Sequence, residues 1–254
     1  MTKTRIIADT SLMNKRIKTI YIVIFVLVLI ILIPTSIFGL RVAAASREFT
    51  PRPTGKVNSE ITAILDQNVN MYVLEKDGKY MAVDAGTSKS HIASELKRSG
   101  IDPQKVTALL LTHTDFDHTA AVSLFRNAEV YISKPEENMI NGKIHRALIF
   151  NNSLKRIHHL LGDGEEIKID GWNVKIIVIP GHTSGASCYL IDGKYLFSGD
   201  STALTKGETT HFNSFFNMNT DEQIVSLRKL EDIQQIELVL TSHYGTAGGL
   251  IWQK

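Results

Sequence analysis

One cysteine in 254 residues excludes two architectures together. Cys188 has no partner for an intramolecular disulfide, and a cysteine-built structural zinc site cannot be assembled. Its setting, G-A-S-C-Y-L-I, reads as a buried strand position and a core thiol with no ligand role. An excess of either charge is also lacking: 28 Lys/Arg against 26 Asp/Glu leave a net charge of +2. Residues 1–46 hold six Lys/Arg and one Asp, leaving 22 Lys/Arg against 25 Asp/Glu beyond them. That slightly acidic remainder offers no basic surface for nucleic acid, and none is expected as a partner. Internal repeats are lacking, and the only low-complexity tract is one apolar run. Neither a helical extension after the last histidine motif nor an appended domain for nucleic acid, a glutathione conjugate or flavin is expected.

What is present begins with that run. Thr19–Leu40 reads T-I-Y-I-V-I-F-V-L-V-L-I-I-L-I-P-T-S-I-F-G-L and carries no charge over 22 residues, enough to cross a bilayer core as a helix. Lys3, Arg5, Lys15, Arg16 and Lys18 precede it, so the positive-inside rule keeps the N-terminus in the cytoplasm and the remainder outside. The expected localisation is a single-pass cell-membrane protein with its catalytic domain on the extracytoplasmic side. A cleaved signal peptide with an A-x-A-like site at Ala43-Ala44-Ala45, giving a secreted product, is the competing reading. The run exceeds the usual 7–15-residue signal core, which favours a retained anchor. Residues 46–60 carry Pro, Gly and Ser and read as linker. The expected organisation is a cytoplasmic stretch at 1–18, a membrane segment at 19–40, a linker at 41–56 and a catalytic domain at 57–254.

In that last segment, Val69–Glu75 and Lys79–Asp84 flank Asp77-Gly78, a tight-hairpin signal. Ser88–Ser99 has helical spacing, with Gly100 placed to end it. Strands are expected at Val106–Thr112, Glu129–Ser133, Glu166–Ile169, Asn173–Ile179, Ser187–Ile191, Lys194–Phe197 and Glu237–Thr241. Helices are expected at Thr119–Arg126, within the ambiguous stretch 135–163 at Ser153–Leu161, and at Thr220–Gln235, where Thr220 and Gln223 fit a capping box. The pattern implies an α/β protein with two sheets packed face to face under helices.

Seven candidate metal ligands punctuate these elements. His113, Asp115, Asp117 and His118 lie in L-L-T-H-T-D-F-D-H, His182 in I-P-G-H-T-S-G, Asp200 in F-S-G-D-S and His243 in L-T-S-H-Y-G. Each follows an apolar, strand-like stretch, the way a sheet delivers ligands to one edge. Imidazole and carboxylate without thiolate suit zinc, iron or manganese in a hydrolytic site. Residues two apart on an extended segment point the same way, while adjacent Asp117 and His118 diverge, so one segment can serve two metals. Two ions 3.5–4 Å apart can grip both the attacked oxygen and the leaving group. Asp200 is the candidate shared carboxylate.

These motifs, in this order, resemble the metallo-β-lactamase superfamily, with V-D-A-G at 83–86 as a further matching motif. The resemblance implies a four-layer αββα sandwich and a hydrolase using two divalent ions, zinc first, with iron or manganese compatible. It also implies that Asp84 orients the metal cluster from behind the ligands. Asp115 departs from the pattern, which usually has histidine there. It leaves a first site of His113, Asp115 and His182, and a second of Asp117, His118 and His243, with Asp200 between them. The flavodiiron branch, which carries a glutamate there, makes iron credible on the same ground.

The expected chemistry is attack by a metal-bound hydroxide on a small carbonyl substrate: a lactone, ester, thioester or β-lactam. Asp117 is the catalytic candidate, holding the nucleophile and shuttling its proton. Tyr244 and His211 are candidate substrate contacts. Phe212, Phe215 and Phe216 either wall the site or pack under the last helix, and the packing reading is favoured. His91, His158 and His159 read as solvent-facing or packing residues on helices. The competing functions are a diiron redox protein, a phosphodiester hydrolase and a non-catalytic membrane-anchored binding module.

Overall fold

A computed structural model describes residues 2–146 and 152–253, with side chains of the first helix described from Ile17 onward. The expected ambiguous stretch at 135–163 therefore lies in part outside the described residues. The chain divides into two compact units, residues 1–47 and 48–254. The first is one helix, α1 (Thr2–Ala45), continuous beyond Leu40 and containing Pro34. The helical segment Ile17–Glu48, which takes in the 3-10 turn after α1, is long and apolar enough to cross a membrane, with a mean hydropathy of 3.0 over its most apolar window and none of that window buried. Length and composition fit a membrane anchor or a signal sequence equally.

The second unit is a mixed sandwich. Among its described residues, a seven-stranded sheet runs in chain order: β1 (Gly55–Lys56), β2 (Ile61–Asp66), β3 (Val69–Lys76), β4 (Lys79–Val83), β5 (Val106–Leu110), β6 (Glu129–Ser133) and β7 (His159–Leu161). Neighbours β1 to β4 are antiparallel; from β4 to β7 they are parallel. The second sheet holds β8 (Glu166–Ile169), β9 (Trp172–Val178), β10 (Ser187–Ile191) and β11 (Tyr195–Gly199) as an antiparallel meander. β14 (Leu238–Thr241) then lies parallel to β11, and β15 (Thr246–Gly248) pairs with β14. Between them in sequence, β12 (Thr202–Thr205) and β13 (Glu208–His211) form a separate hairpin.

Period-two alternation decides the layers. On β3, Tyr72 and Leu74 face the second sheet and join Trp172, Tyr189 and Phe197 in the central core. Met71 and Val73 face the opposite way and pack with Ile92 and Leu96 of α2 (Lys89–Arg98). The second sheet turns Ile177, Cys188, Leu196 and Val239 outward against Leu227 and Leu230, at the end of α5 (Thr220–Leu227) and the 3-10 turn after it. The result is the four-layer αββα sandwich, with Cys188 a buried core thiol whose pKa burial pushes up to about 12.

Local chemistry accounts for the connections. Asp77 and Gly78 both take positive φ, 52° and 74°, which a two-residue primed turn requires. Gly100 follows α2 at φ 72° and donates to Lys97 O, closing the helix.

Several expectations are corrected. Ser153–Leu161 is not helical: it is irregular up to His158 and then becomes edge strand β7, where His159, Leu160 and Leu161 pair with Tyr131, Ile132 and Ser133 of β6. His159 is thus a strand residue, stacked on Tyr131, and His158 pairs with Glu137. Thr119–Arg126 is replaced by a short α3 (Phe116–Thr119) and a 3-10 turn at Val122–Leu124. Helix α5 is capped by Asn219, whose side chain accepts from Glu222 N, and not by Thr220 with Gln223. Gln223 is spent inward instead, on the Asp200 carbonyl and the Phe212 N–H.

Candidate metal centre

Five strand ends converge on one edge of the sandwich. Asp84 follows β4, His113 follows β5, His182 follows β9, Asp200 follows β11 and His243 follows β14. Asp117 and His118 sit on the single turn of α3, with Asp115 as its N-cap residue. The adjacent pair thus diverges by helical geometry and not by strand alternation, a correction to the local picture that leaves the divergence intact.

The two sheets come close here because Gly199 has no side chain. Its φ is +53°, the β11–β14 register shifts beside it, and a Cβ would lie 2.5 Å from Thr112 Oγ1. Gly185 plays the same part on the other loop, where a Cβ would meet Glu136 N at 2.1 Å.

Each histidine is oriented by what its outer nitrogen touches. His118 Nδ1 donates to Asp84 Oδ2 at 2.9 Å, and His243 Nδ1 donates to Asn68 O at 2.6 Å. His182 Nδ1 faces Asn217 Oδ1 at 3.3 Å, and His113 Nδ1 faces Thr112 Oγ1 at 3.1 Å. The Thr112 hydroxyl in turn donates to Asp84. Protonation at Nδ1 in all four leaves Nε2 lone pairs pointing inward.

The inward atoms surround a common volume. Asp200 Oδ2 lies 3.3 Å from His182 Nε2 and 3.4 Å from His243 Nε2, while its Oδ1 lies 3.6 Å from His118 Nε2. Asp117 Oδ2 lies 3.4 Å from His243 Nε2 and 3.7 Å from His118 Nε2. Asp115 Oδ2 lies 3.3 Å from His182 Nε2 and 3.6 Å from His113 Nε2. Three overlapping sets hold donor atoms within 4.8 Å of one another: His113, Asp115 and His182; His113, His118 and Asp200; Asp117, His118 and His243. Asp200 lies between the two outer sets.

Three of these buried atoms, His113 Nε2, His118 Nε2 and Asp200 Oδ1, have no hydrogen-bond partner among the described residues. Leaving such groups unsatisfied in a dry site is costly unless a cation answers them. The donor set therefore fits divalent metal: hard carboxylate and imidazole, converging on one volume.

The carboxylates and imidazoles answer one another's charge. Burial pulls His243 down, but Asp200 and Asp117 outweigh it and hold its pKa at about 9. Burial wins at His182, taking it down to about 4. Burial raises Asp117, yet His118 and His243 bring it to about 2. Asp200 is likewise held well below the carboxylate range, against its burial, by His243 and His118.

Several residues that matter were not singled out in the sequence. Glu136 is fully buried and accepts from Thr114 N at 2.8 Å, Thr114 Oγ1 at 2.6 Å, Thr183 Oγ1 at 2.6 Å and Gly185 N at 3.1 Å. It ties the loop of His113 and Asp115 to the loop of His182. Burial pushes its carboxyl above the ordinary range. Arg146 Nη1 lies 2.9 Å from Asp115 Oδ2 and 3.1 Å from the His182 carbonyl oxygen; Nη2 donates to Phe216 O. Asn152 Nδ2 donates to Asp115 Oδ1 at 2.9 Å. Nothing in the local sequence marks Arg146 or Asn152: they come from the stretch left ambiguous.

A pocket of about 220 Å³ opens onto the cluster, walled by Phe49, Asp115, Asp117, Arg146, His182, Asp200, Phe212, Phe216 and His243. Phe49, from the segment read as linker, stacks on His243 at 4.3 Å, and Thr50 N donates to His243 O. Phe212 and Phe216 are wall residues, so the expectation that they merely pack under the last helix is corrected; Phe215 is outside the wall. The two expected substrate contacts are not wall residues either. His211 Nδ1 lies 2.7 Å from Phe212 O, and the buried Tyr244 ring packs edge-on against Phe49 and Phe212.

Fold and donor set define a metal-binding hydrolase scaffold, and comparison with known proteins agrees. The metallo-beta-lactamase superfamily model matches residues 65–243. A relative from Bacillus subtilis (strain 168), "Probable metallo-hydrolase YqgX", is 29% identical over 184 residues, covering 68% of this chain and 84% of the relative. A hydroxyacylglutathione hydrolase from Salmonella arizonae is 29% identical over 72% of this chain and 65% of its own length. This chain thus spans less than two thirds of that relative. Among solved structures, the Rm3 metallo-beta-lactamase superposes with a TM-score of 0.61 at 15% identity, covering 78% of this chain and 81% of that one. The chain belongs to the metallo-β-lactamase superfamily. By class it is a hydrolase.

Proposed function

We propose that the chain is a zinc-dependent hydrolase of small acyl compounds, thioester or ester and lactone ahead of β-lactam. The observation that carries this reading is the inward set of four Nε2 atoms and three carboxylates, with three buried atoms left unpartnered. Divalent metal bound there would supply Lewis acidity and bring the ionisation of water toward pH 7.

The chain's own residues do the remainder. Asp117 is the most open of the set, its side chain 39% exposed, and it faces the pocket. Held at about 2, it is anionic at neutral pH. It accepts a hydrogen bond from the attacking water and is placed to relay that proton to the leaving group. Asp84 and Asn217 fix the imidazoles, and Asp200 fixes the spacing of the two outer sets. Phe49, Phe212 and Phe216 give one apolar side to a cavity sized for a compact acyl group. The Salmonella relative is named for hydroxyacylglutathione, and because an acyl group on the glutathione sulfur is a thioester, thioester leads the panel. Arg146 answers the charge of Asp115, the residue on which the case for iron leaned. The length and apolarity of helix α1 support a membrane anchor, and the basic residues before the apolar run support an extracytoplasmic catalytic unit.

The test is a panel of thioesters, esters, lactones and β-lactams offered to the full-length chain in detergent, before and after chelation. Hydrolysis lost on chelation and restored by zinc is expected. Turnover unaffected by stripping the metal would defeat the reading.

A further inference from the structure

We propose that Arg146 stands where one of two metal ions would otherwise sit, so that the chain works with a single ion beside a fixed guanidinium. The inference rests on the metal-dependent reading above and names the occupancy of that same centre.

The two outer donor sets are not equivalent. Both oxygens of Asp115 already have donors: Oδ2 has Arg146 Nη1 at 2.9 Å, and Oδ1 has Asn152 Nδ2 at 2.9 Å. Arg146 Nη2 lies 3.4 Å from His182 Nε2, the other atom a first ion would need. The guanidinium is held there by the His182 and Phe216 carbonyl oxygens as well. An ion bonded to Asp115 Oδ2 and His182 Nε2 at about 2.0–2.2 Å would have to share both of those atoms with this cation. The unpartnered atoms lie elsewhere: His113 Nε2, His118 Nε2 and Asp200 Oδ1 belong to a fully buried set whose donor atoms fall within 4.8 Å. One ion in reach of that set satisfies all three.

Charge leads to the same count. Asp115, Asp117 and Asp200 face the centre, and Asp84 lies behind His118 among donors. Three carboxylates are neutralised by one divalent ion plus one guanidinium. A second divalent ion would add two positive charges beside a guanidinium that cannot lose its proton, with Asp84, behind His118, as the one further carboxylate to answer them. Asp115 and Arg146 are therefore one device: a carboxylate in the position usually held by histidine, and the cation that occupies it.

The test is zinc stoichiometry by inductively coupled plasma mass spectrometry on the full-length chain, purified in detergent and equilibrated with micromolar zinc. The wild type is expected to hold one zinc per chain, Arg146→Ala two and Arg146→Lys one. Asp115→Asn is expected to keep the single zinc, because its carboxylate is not a ligand. Two zinc ions in the wild type, an unchanged count in Arg146→Ala, or loss of zinc in Asp115→Asn would overturn the inference. The Asp115→Asn arm keeps the test decisive where Arg146→Ala fails to fold. A wild type with no zinc would instead defeat the metal-dependent reading itself, and two zinc ions would leave that reading standing.

Discussion

The two arms of the centre solve one problem by different means. On the His118 arm, a buried histidine is aimed by the buried carboxylate of Asp84, which also takes the Thr112 N–H and hydroxyl. Every part comes from the ends of β4 and β5 or the turn that follows. On the Asp115 arm, the carboxylate is served by Arg146 and Asn152, from the stretch after β6. The first arm is built from motif residues close in sequence; the second depends on partners that no motif announces. A ligand's type can be written locally, but its availability to a metal is decided by what else reaches it.

Removing the first arm is the most severe way to break this contrast. His118→Ala should lower turnover roughly 10³-fold or more, about 4 kcal/mol of transition-state stabilisation, and reduce bound zinc with it. Steady-state kinetics paired with metal analysis checks both. Asp84→Asn is milder: it keeps the shape but weakens the acceptor for His118 Nδ1–H, and zinc affinity should fall about 10–100-fold in a chelator competition. If Asp84→Asn and Asn152→Ala weakened zinc equally, the arms would not differ as described.

Glu136 joins the arms, which makes it the place to sharpen the comparison. Glu136→Ala strands the donors of Thr114, Thr183 and Gly185 in a buried site, and stability should fall by about 3 kcal/mol in urea unfolding. The smallest effect lies far from both arms. Partial burial raises Asp163, but Lys229 and the Val178 N–H more than offset it, so its folded pKa lies below the unfolded value. Its stabilisation is present above about pH 4 and is lost as pH falls through the folded pKa. Asp163 is solvent-exposed, so the gap between wild type and Lys229→Ala should narrow by about 0.5 kcal/mol or less between pH 7 and pH 3.

Legibility followed the range of the interaction. Hairpin turns, the α2 helix and strands β8 to β11 and β14 were readable because apolar runs and Asp-Gly turns are local signals, whereas the short edge strand β15 was not. The seven candidate ligands were readable from type and order, although their spacing was first assigned to an extended segment when α3 carries two of them. Strand β7 was misread because an edge strand of three residues carries no periodicity of its own and forms only against β6. The capping box failed for a similar reason: Gln223 had a tertiary use, on the Asp200 carbonyl, that outweighed the local one. Phe49 could not be picked out because a lone aromatic after a Pro-rich segment gains meaning only by stacking on His243.

The sequence by itself determined the apolar N-terminal helix, the sandwich class and the identity of the candidate ligands, since hydrophobic periodicity and donor chemistry are properties of residues and their near neighbours. Only the tertiary structure decided which nitrogen of each histidine points inward, how Glu136 couples two loops, and that Arg146 has already claimed Asp115. Those outcomes depend on contacts between residues far apart in the chain, where close approach at Gly199 and Gly185 and the satisfaction of buried charge set the answer.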